Sequence, residues 1–440
     1  MLSLALALVI AQTPADPALA AASREDRDGW IVVHLKGSPH TVGYQQGALL
    51  APEIHETRET LAALLGERGG HDWRWYRETT HRLFWDKLEP EYRREIEGIA
   101  DGVRAKGGSE DADDILAMNA HIEVSGYYLP MIQARQRGEP PKSDAPMACS
   151  AFVATGSATR DGKVVMGHNF WWGYLTGERW QVLLDIKPEK GHRVVMDSLP
   201  GLIHSGTDWA MNDAGILLCE TTISDFTGFD EGGLPEFQRM RKAAQYSENL
   251  DDAARIFQTG NNGGYANTWL MADINTGEIG KLELGLKNVT FERLKDGYFV
   301  GSNFPSNPKL IAEEARTYRP EGNICELRRL RWIKFLDGTK GQVDAELGKQ
   351  FLADTWNEKT QKNDGQGGAL CGKGLLGGAV NAKVTTADMA RKLSFWARMG
   401  VPDGSAFVAQ RLRGTMPEVK ALTHLRDMPG QKWMLFEAPK

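Results

Sequence analysis

The chain is poor in the features that announce the commonest chemistries. It has four cysteines in 440 residues, Cys149, Cys219, Cys325 and Cys371, and none forms a Cys-x-x-Cys pair. That argues against a thiolate zinc site and a dithiol redox motif. The ten histidines are scattered, with no His-Glu-x-x-His, and no Gly-x-Ser-x-Gly elbow is present. No metal and no cofactor are therefore expected. Gly367-x4-Gly372-Lys373 has the outline of a phosphate loop, but Gly374 stands where Ser or Thr is required. Ser306-x-x-Lys309 encloses the turn Asn307-Pro308 and has no companion Lys-Thr-Gly. The formal net charge is -6 and there is no basic stripe, so nucleic acid is not an expected partner. Long apolar runs are missing too. The opening run from Met1 to Ala11 falls short of the ~20 residues a membrane helix needs, and no later segment could span a bilayer.

That opening run does suit the ~7–15-residue apolar region of a secretory signal. Ala18-Leu19-Ala20 offers a small-x-small cleavage site, although no Lys or Arg precedes the run. Residues 1–22 are expected to be a signal peptide and the protein to be exported, periplasmic or secreted. A misassigned start or a tethered N-terminus would read the same way. An exported chain could pair some of its cysteines, but the sequence does not say which. An apolar content of 41% with 25% mixed charge describes a globular chain with a sizeable core. Oligomeric state is not readable.

From about Asp26 to Pro146 the pattern is mostly helical. A strand is expected at Gly29–Gly37, and helices at Thr60–Leu65, Tyr92–Val103 and Asp111–Val124. The stretch Gln136–Pro146 is polar with three prolines, an exposed linker. After it the chain changes character. Short apolar runs separated by Gly, Asn and Asp turns predict strands at Val164–Gly167, Gln181–Lys187, His192–Leu199, Trp209–Met211, Ile216–Ile223, Thr268–Ile274, Gly280–Leu286 and Tyr298–Gly301. Helices are expected at Glu236–Ser247, Asp251–Gln258, Ile324–Leu336, Val343–Trp356 and Thr386–Met399, with a Gly-rich loop at Asp364–Gly378. The fold class is α+β, and a strand-rich middle flanked by helices suits a four-layer α-β-β-α sandwich.

Cys149 stands where the linker ends and an apolar strand begins. Arg160-Asp161-Gly162-Lys163 is a turn, and a second apolar strand ends at Gly167-His168-Asn169. An Asp-Gly turn between apolar runs marks a hairpin, which would bring His168 and Asn169 back towards Cys149. A cysteine at a strand start is ordinarily a small buried hydrophobe. The linker before it and the hairpin after it favour a nucleophile.

These segments resemble the cysteine N-terminal-nucleophile (Ntn) hydrolases of the peptidase C45 group, and especially the phospholipase B-like (lamina ancestor) branch. The resemblance extends in patches over nearly the whole chain. It includes Gly37–Gly47, Met211–Gly215 with Glu220–Ile223, Gly264–Trp269, and Asn381–Thr385, where Asn381 replaces the family's Asp. It implies an Ntn fold in which residues 23–148 are a helical pro-region or small subunit and residues 149–440 the catalytic region. It also implies that the chain cuts itself between Ala148 and Cys149. The freed α-amine, with a pKa of ~7.7–8.0, can then take the thiol proton, so no separate His base is needed.

The family implies an oxyanion donor at Asn267, worth about 3–4 kcal/mol; the ordinary alternative is a turn-forming Asn. Thr222 would be a second donor or simply a strand residue. His168 could hold the α-amine or substrate, or be structural, and Asn169 is a neighbouring candidate. Trp171 stands where many relatives carry an orienting Asp. Trp171, Trp172, Tyr174 and Trp209 could line an acyl pocket, although core packing is the commoner use of each. Arg328 or Arg329 could bind a substrate carboxylate, with helix-surface charge as the default. The expected function is hydrolysis of an acyl bond, in a phospholipid ester or a linear amide, through a Cys149 thioester. The substrate would be a small acyl compound, with a lipid as one class. The alternatives are acyl transfer to an amine and a non-catalytic binding protein on the same scaffold.

Overall fold

The computed structural model describes residues 16–139 and 149–439. The apolar opening run and most of the expected linker, with Ala148, lie outside the described residues. Strands form where short apolar runs are bounded by turn residues. In chain order they are β1 Ser23–Arg27, β2 Trp30–Gly37, β3 Ser150–Thr155, β4 Val165–Gly173, β5 Val182–Pro188, β6 Val194–Ser198, β7 Trp209–Asn212 and β8 Ile216–Thr222. They continue as β9 Asn267–Asp273, β10 Glu278–Leu284, β11 Val289–Leu294, β12 Gly297–Gly301, β13 Gly377–Thr386, β14 Ser394–Met399 and β15 Met434–Glu437.

Among the described residues the strands make two sheets. One has the order β1-β2-β5-β6-β7-β8-β9-β10-β11, the other β12-β3-β4-β13-β14-β15. Neighbours run antiparallel except β2 and β5. Alternation along each strand divides its side chains between two packed clusters. Trp30 and Val32 of β2, Leu183 of β5 and Leu270 of β9 meet Ala151, Val153, Phe395 and Phe436 of the other sheet. Their strand neighbours Ile31, Val33, Leu184 and Met271 pack instead against Ile54, Ile99, Met240 and Phe257 of helices. On the far side of the second sheet, Phe152, Ala382 and Val384 meet Trp332 and Phe351 of the Ile324–Gly338 and Ala345–Leu352 helices.

One expectation is extended and one corrected. The strand expected at Gly29–Gly37 is β2, but the N-terminal region also supplies β1, and β2 pairs with β5 from beyond Cys149. Thr386–Met399 is not one helix. A single turn, Ala387–Ala390, ends at Leu393, whose φ is +49, and the chain leaves as strand β14 with alternating burial.

Two features lock the layers. The helices Pro39–Leu49 and Pro90–Ala105 touch backbone to backbone through glycines four apart on each. A Cβ on Gly43 would lie 2.0 Å from the Glu95 carbonyl oxygen, and one on Gly98 2.2 Å from that of His40. That explains the glycines of the Gly43–Gly47 segment. Between the sheets, Lys383 of β13 donates to Asp197 of β6 at 2.7 Å, with both side chains fully buried. Asn381 accepts from the same ammonium at 2.7 Å, so the Asn in place of the family's Asp still serves the lysine.

Gly98→Ala is expected to cost about 1–3 kcal/mol or more through overpacking, read as a lower urea midpoint at unchanged slope. Lys383→Met should cost about 3–5 kcal/mol by leaving Asp197 buried and unpaired. The double variant with Asp197→Asn should recover part of that loss in the same titration.

Candidate functional site

Cys149 is only 4% exposed and immediately precedes β3. In the hairpin Ser150 lies opposite Asn169 and Ala151 opposite His168. Consecutive strand residues face opposite ways, so the two candidates part company. Asn169 donates through Nδ2 to the carbonyls of Leu352 and Leu370, at 2.8 and 3.0 Å, and so anchors the strand to a helix end and a loop. His168 is fully buried and lies across the ladder from Lys383. Burial and then the lysine charge push its imidazole well below its usual pKa, so it is neutral.

Arg328 overturns the expectation of a surface charge. It is fully buried, and its guanidinium donates to the carbonyl of Cys149 itself. It also donates to Ser150 Oγ at 3.1 Å and to Asn303 Oδ1 at 3.1 and 3.2 Å. These bonds engage it with the protein rather than with open space. Asn303 has a φ of +68 and donates back to the carbonyl of Thr222 at 2.7 Å. Sequence reasoning missed Asn303, and only its place just after a strand, in Ser302-Asn303, hinted at a turn. Arg329 is the ordinary helix-surface residue of the pair, donating to Glu326 at 2.5 Å.

Trp171 lies between two layers. The guanidinium carbon of Arg328 is 5.2 Å from its ring, and its Nε1 donates to Leu370 at 3.2 Å. A Cβ on Gly372 would sit 1.9 Å from the indole, so the glycine of the failed phosphate-loop outline is there to make room for Trp171. Burial pushes the Cys149 thiol up to about 12; a hydrogen bond from the Trp171 backbone opposes this, Asp208 adds to it, and the charges of Arg328 and Lys383 oppose it.

On the other side stand two carboxyls, neither of them a candidate from the sequence. Asp208 and Glu220 are fully buried, and the Tyr265 hydroxyl touches both, Glu220 Oε1 at 3.0 Å. Burial first, then the neighbouring carboxyl, raises Asp208 well above its usual range. Burial raises Glu220 as well. Asn267 opens β9 opposite Thr222, the last residue of β8. Its amide is oriented by its neighbours, with Nδ2 donating to Glu220 Oε2 and to the Ala266 carbonyl, both at 3.0 Å. Both amide hydrogens are thus taken by the protein. Glu220 and Tyr265 did fall in the segments that carried the resemblance, and Asp208 did not.

The aromatic candidates separate as well. Trp209 is packed between the sheets, and Tyr174 stacks on Phe407 at 4.1 Å. Trp172 lines a cavity of about 830 Å³ with Leu61, Leu65, Leu129, Leu376 and Leu412. Cys149 is not in its wall. Among the described residues there is no cluster of three metal-ligating side chains, and no helix is long and apolar enough to cross a membrane.

The molecule is thus an α+β chain of two sheets with a buried thiol at the head of a central hairpin. The phospholipase B family model matches residues 60–313, more than half of the chain, and the chain belongs to that family. An uncharacterized protein of Archaeoglobus fulgidus is 31% identical over 243 residues, which are 52% of this chain and 39% of that protein. Putative phospholipase B-like 2 of Caenorhabditis elegans is 32% identical over 89 residues, 19% of this chain and 15% of that one. The matched part therefore spans well under half the length of these curated relatives. Among solved structures, a mutant conjugated bile acid hydrolase from Clostridium perfringens aligns with a TM-score of 0.34 at 10% identity, over 57% of this chain and 89% of that one. Penicillin V acylase from Agrobacterium tumefaciens aligns with a TM-score of 0.34 at 11% identity, over 57% and 83%.

With its thiol held near 12, Cys149 of the uncut chain should react with iodoacetamide at pH 8 about a thousandfold more slowly than free cysteine. Peptide mapping after timed alkylation checks this; labelling at the free-cysteine rate would show that the thiol is not held in a dry site.

Proposed function

We propose that this protein is a cysteine Ntn hydrolase of a lipid-like acyl bond, in which Cys149 becomes the nucleophile after scission of the Ala148–Cys149 bond. One observation carries the reading. In a chain of the phospholipase B family, the cysteine at the head of β3 has its own carbonyl fixed by a buried arginine. A nucleophile at a chain end needs its backbone held from one side, because nothing precedes it. On this reading the two facing sheets with helices outside them are the four-layer α-β-β-α sandwich of that class. The protein is exported before it acts, and residues 23–148 remain attached to the catalytic region through β2.

In the processing step the Cys149 sulfur attacks the Ala148 carbonyl carbon. The C–N bond breaks, the acyl group passes to sulfur, and the Cys149 nitrogen leaves as an amine. Water then cleaves the thioester, releasing the Ala148 carboxylate. The new α-amine, with a pKa of ~7.7–8.0, takes the thiol proton in place of a histidine. That fits a His168 held neutral by burial, which is left with a packing and positioning role. In turnover the sulfur attacks the substrate acyl carbon, the alcohol or amine departs with a proton, and water frees the acid. The cavity beside Trp172, one residue beyond the Trp171 that contacts Cys149, is of a size to take an acyl chain, with leucines along it and Glu67, Arg68 and Gln133 in the same wall. For Asn267 to serve an oxyanion, it must first exchange Glu220 or the Ala266 carbonyl for that oxygen.

Intact mass and N-terminal sequencing of wild type beside Cys149→Ala test the reading, followed by fatty-acid release from phosphatidylcholine vesicles and from a linear acyl amide. Two fragments with a new N-terminus at Cys149, absent from the variant, and acyl release by the cut form alone are the expected outcome. An uncut wild type that releases no acid would overturn it.

A further inference from the structure

Asp208, Glu220 and Tyr265 raise a problem of hydrogen counting. A tyrosine hydroxyl has one hydrogen to give. Tyr265 faces Asp208 Oδ2 and Glu220 Oε1 at hydrogen-bonding range. It can donate fully to one of them only, and the two carboxyls are themselves in contact, so one of them carries a proton. Two ionised carboxylates there would also have no cation to offset them. Among the described residues neither forms an ion pair, and Lys383 is committed to Asp197 and Asn381. The remaining contacts decide which one is neutral. Glu220 accepts on both oxygens, from Tyr265 on Oε1 and from Asn267 on Oε2. Asp208 Oδ1 is buried without a partner, which costs a neutral acid far less than a carboxylate.

We infer that Asp208 and Glu220 hold a single proton between them, on Asp208, and that the ionised Glu220 is the positioning residue that keeps the Asn267 amide turned towards it in the Cys149 site. The hydrogens then run in one direction, from Asp208 to the Tyr265 oxygen, from Tyr265 to Glu220, and from Asn267 to Glu220. Burial raises both carboxyls, and the contact between them adds to the rise at Asp208 while opposing it at Glu220, the same order of protonation. The titratable groups facing the pair are Cys149, Cys219, Tyr265, Glu236 and Asp197, with the imidazole of His168, held neutral by burial, against the Glu220 backbone. The second half of the inference rests on the proposed role of Cys149; the shared proton does not.

The test begins on the Cys149→Ala chain, which needs no activity. Infrared difference spectra at neutral pH, taken against Asp208→Asn, should show loss of a protonated-carboxyl C=O band. Asn suits the site because Asp208 sits at a φ of +57, a conformation Asn tolerates. Tyr265→Phe should shift or remove the same band, and Glu220→Gln should make it titrate at lower pH. No band lost in Asp208→Asn, or a band lost only in Glu220→Gln, overturns the assignment.

With Cys149 restored, the pH profile of its alkylation reports the charge beside it. Glu220→Gln should move the profile to lower pH, and Asp208→Asn, which removes no charge, should leave it in place. Equal shifts in the two variants would overturn the role of Glu220. This holds whether or not the chain processes itself, so failure here is distinct from failure of the hydrolase reading.

Discussion

Arg328 carries a charge it cannot give up into a place that water does not reach. Everything around Cys149 is arranged to solvate that charge without a carboxylate in contact. The solvating groups are dipoles: the Cys149 carbonyl, the Ser150 hydroxyl, the Asn303 amide oxygen and the face of Trp171. Because an unsolvated guanidinium would cost several kcal/mol, each of those groups is held firmly, and holding them fixes the first residues of β3. The position of the thiol is in that sense a by-product of burying an arginine. Across the site the charge of opposite sign is equally dry. A thiol between a fixed cation and a carboxyl pair has its acidity set by which of the two prevails, and in the uncut chain burial dominates both.

The same dryness explains which parts of the site were legible in the sequence. The β3–β4 hairpin was readable because an Asp-Gly turn between apolar runs is a local pattern, but the strands are joined by the longer stretch 156–164, and the register that sets Ser150 against Asn169 is not that of a two-residue turn. What the pattern could not show was facing. His168 and Asn169 look like a pair in sequence, yet period-two alternation sends one towards Lys383 and the other to the Leu352 carbonyl. Arg328 lies in a helix whose charges read as surface, and nothing within the helix tells that its partners come from β3 and from the loop after β12. Asp208, Tyr265 and Glu220 come from three segments joined only by the fold, so no spacing could announce them.

The larger architecture was legible to a similar degree and failed for similar reasons. Most of the middle strands were visible as short runs between turns. The helix expected over Thr386–Met399 failed because its first turn is helical and the break depends on one residue, Leu393, in a conformation only tertiary contacts support. The helical reading of the N-terminal region missed β1 because Ser23–Arg27 is polar and pairs at an edge, where burial writes no pattern.

The pairing of β2 with β5 bears on what scission before Cys149 could do. A cut there would not release the N-terminal part, because β2 is hydrogen-bonded within the larger sheet over seven residue pairs and Ile31, Val33 and Leu35 belong to the main core. The energetic consequence of the cut is therefore local. It would replace a peptide nitrogen by an amine in a site that already contains a fixed guanidinium, and a new ammonium next to it would be disfavoured by like charge. The amine would be held neutral, the state in which it can take a proton from sulfur. A buried arginine that pins the carbonyl of Cys149 would then, after a cut, also favour the uncharged form of its nitrogen through the same charge.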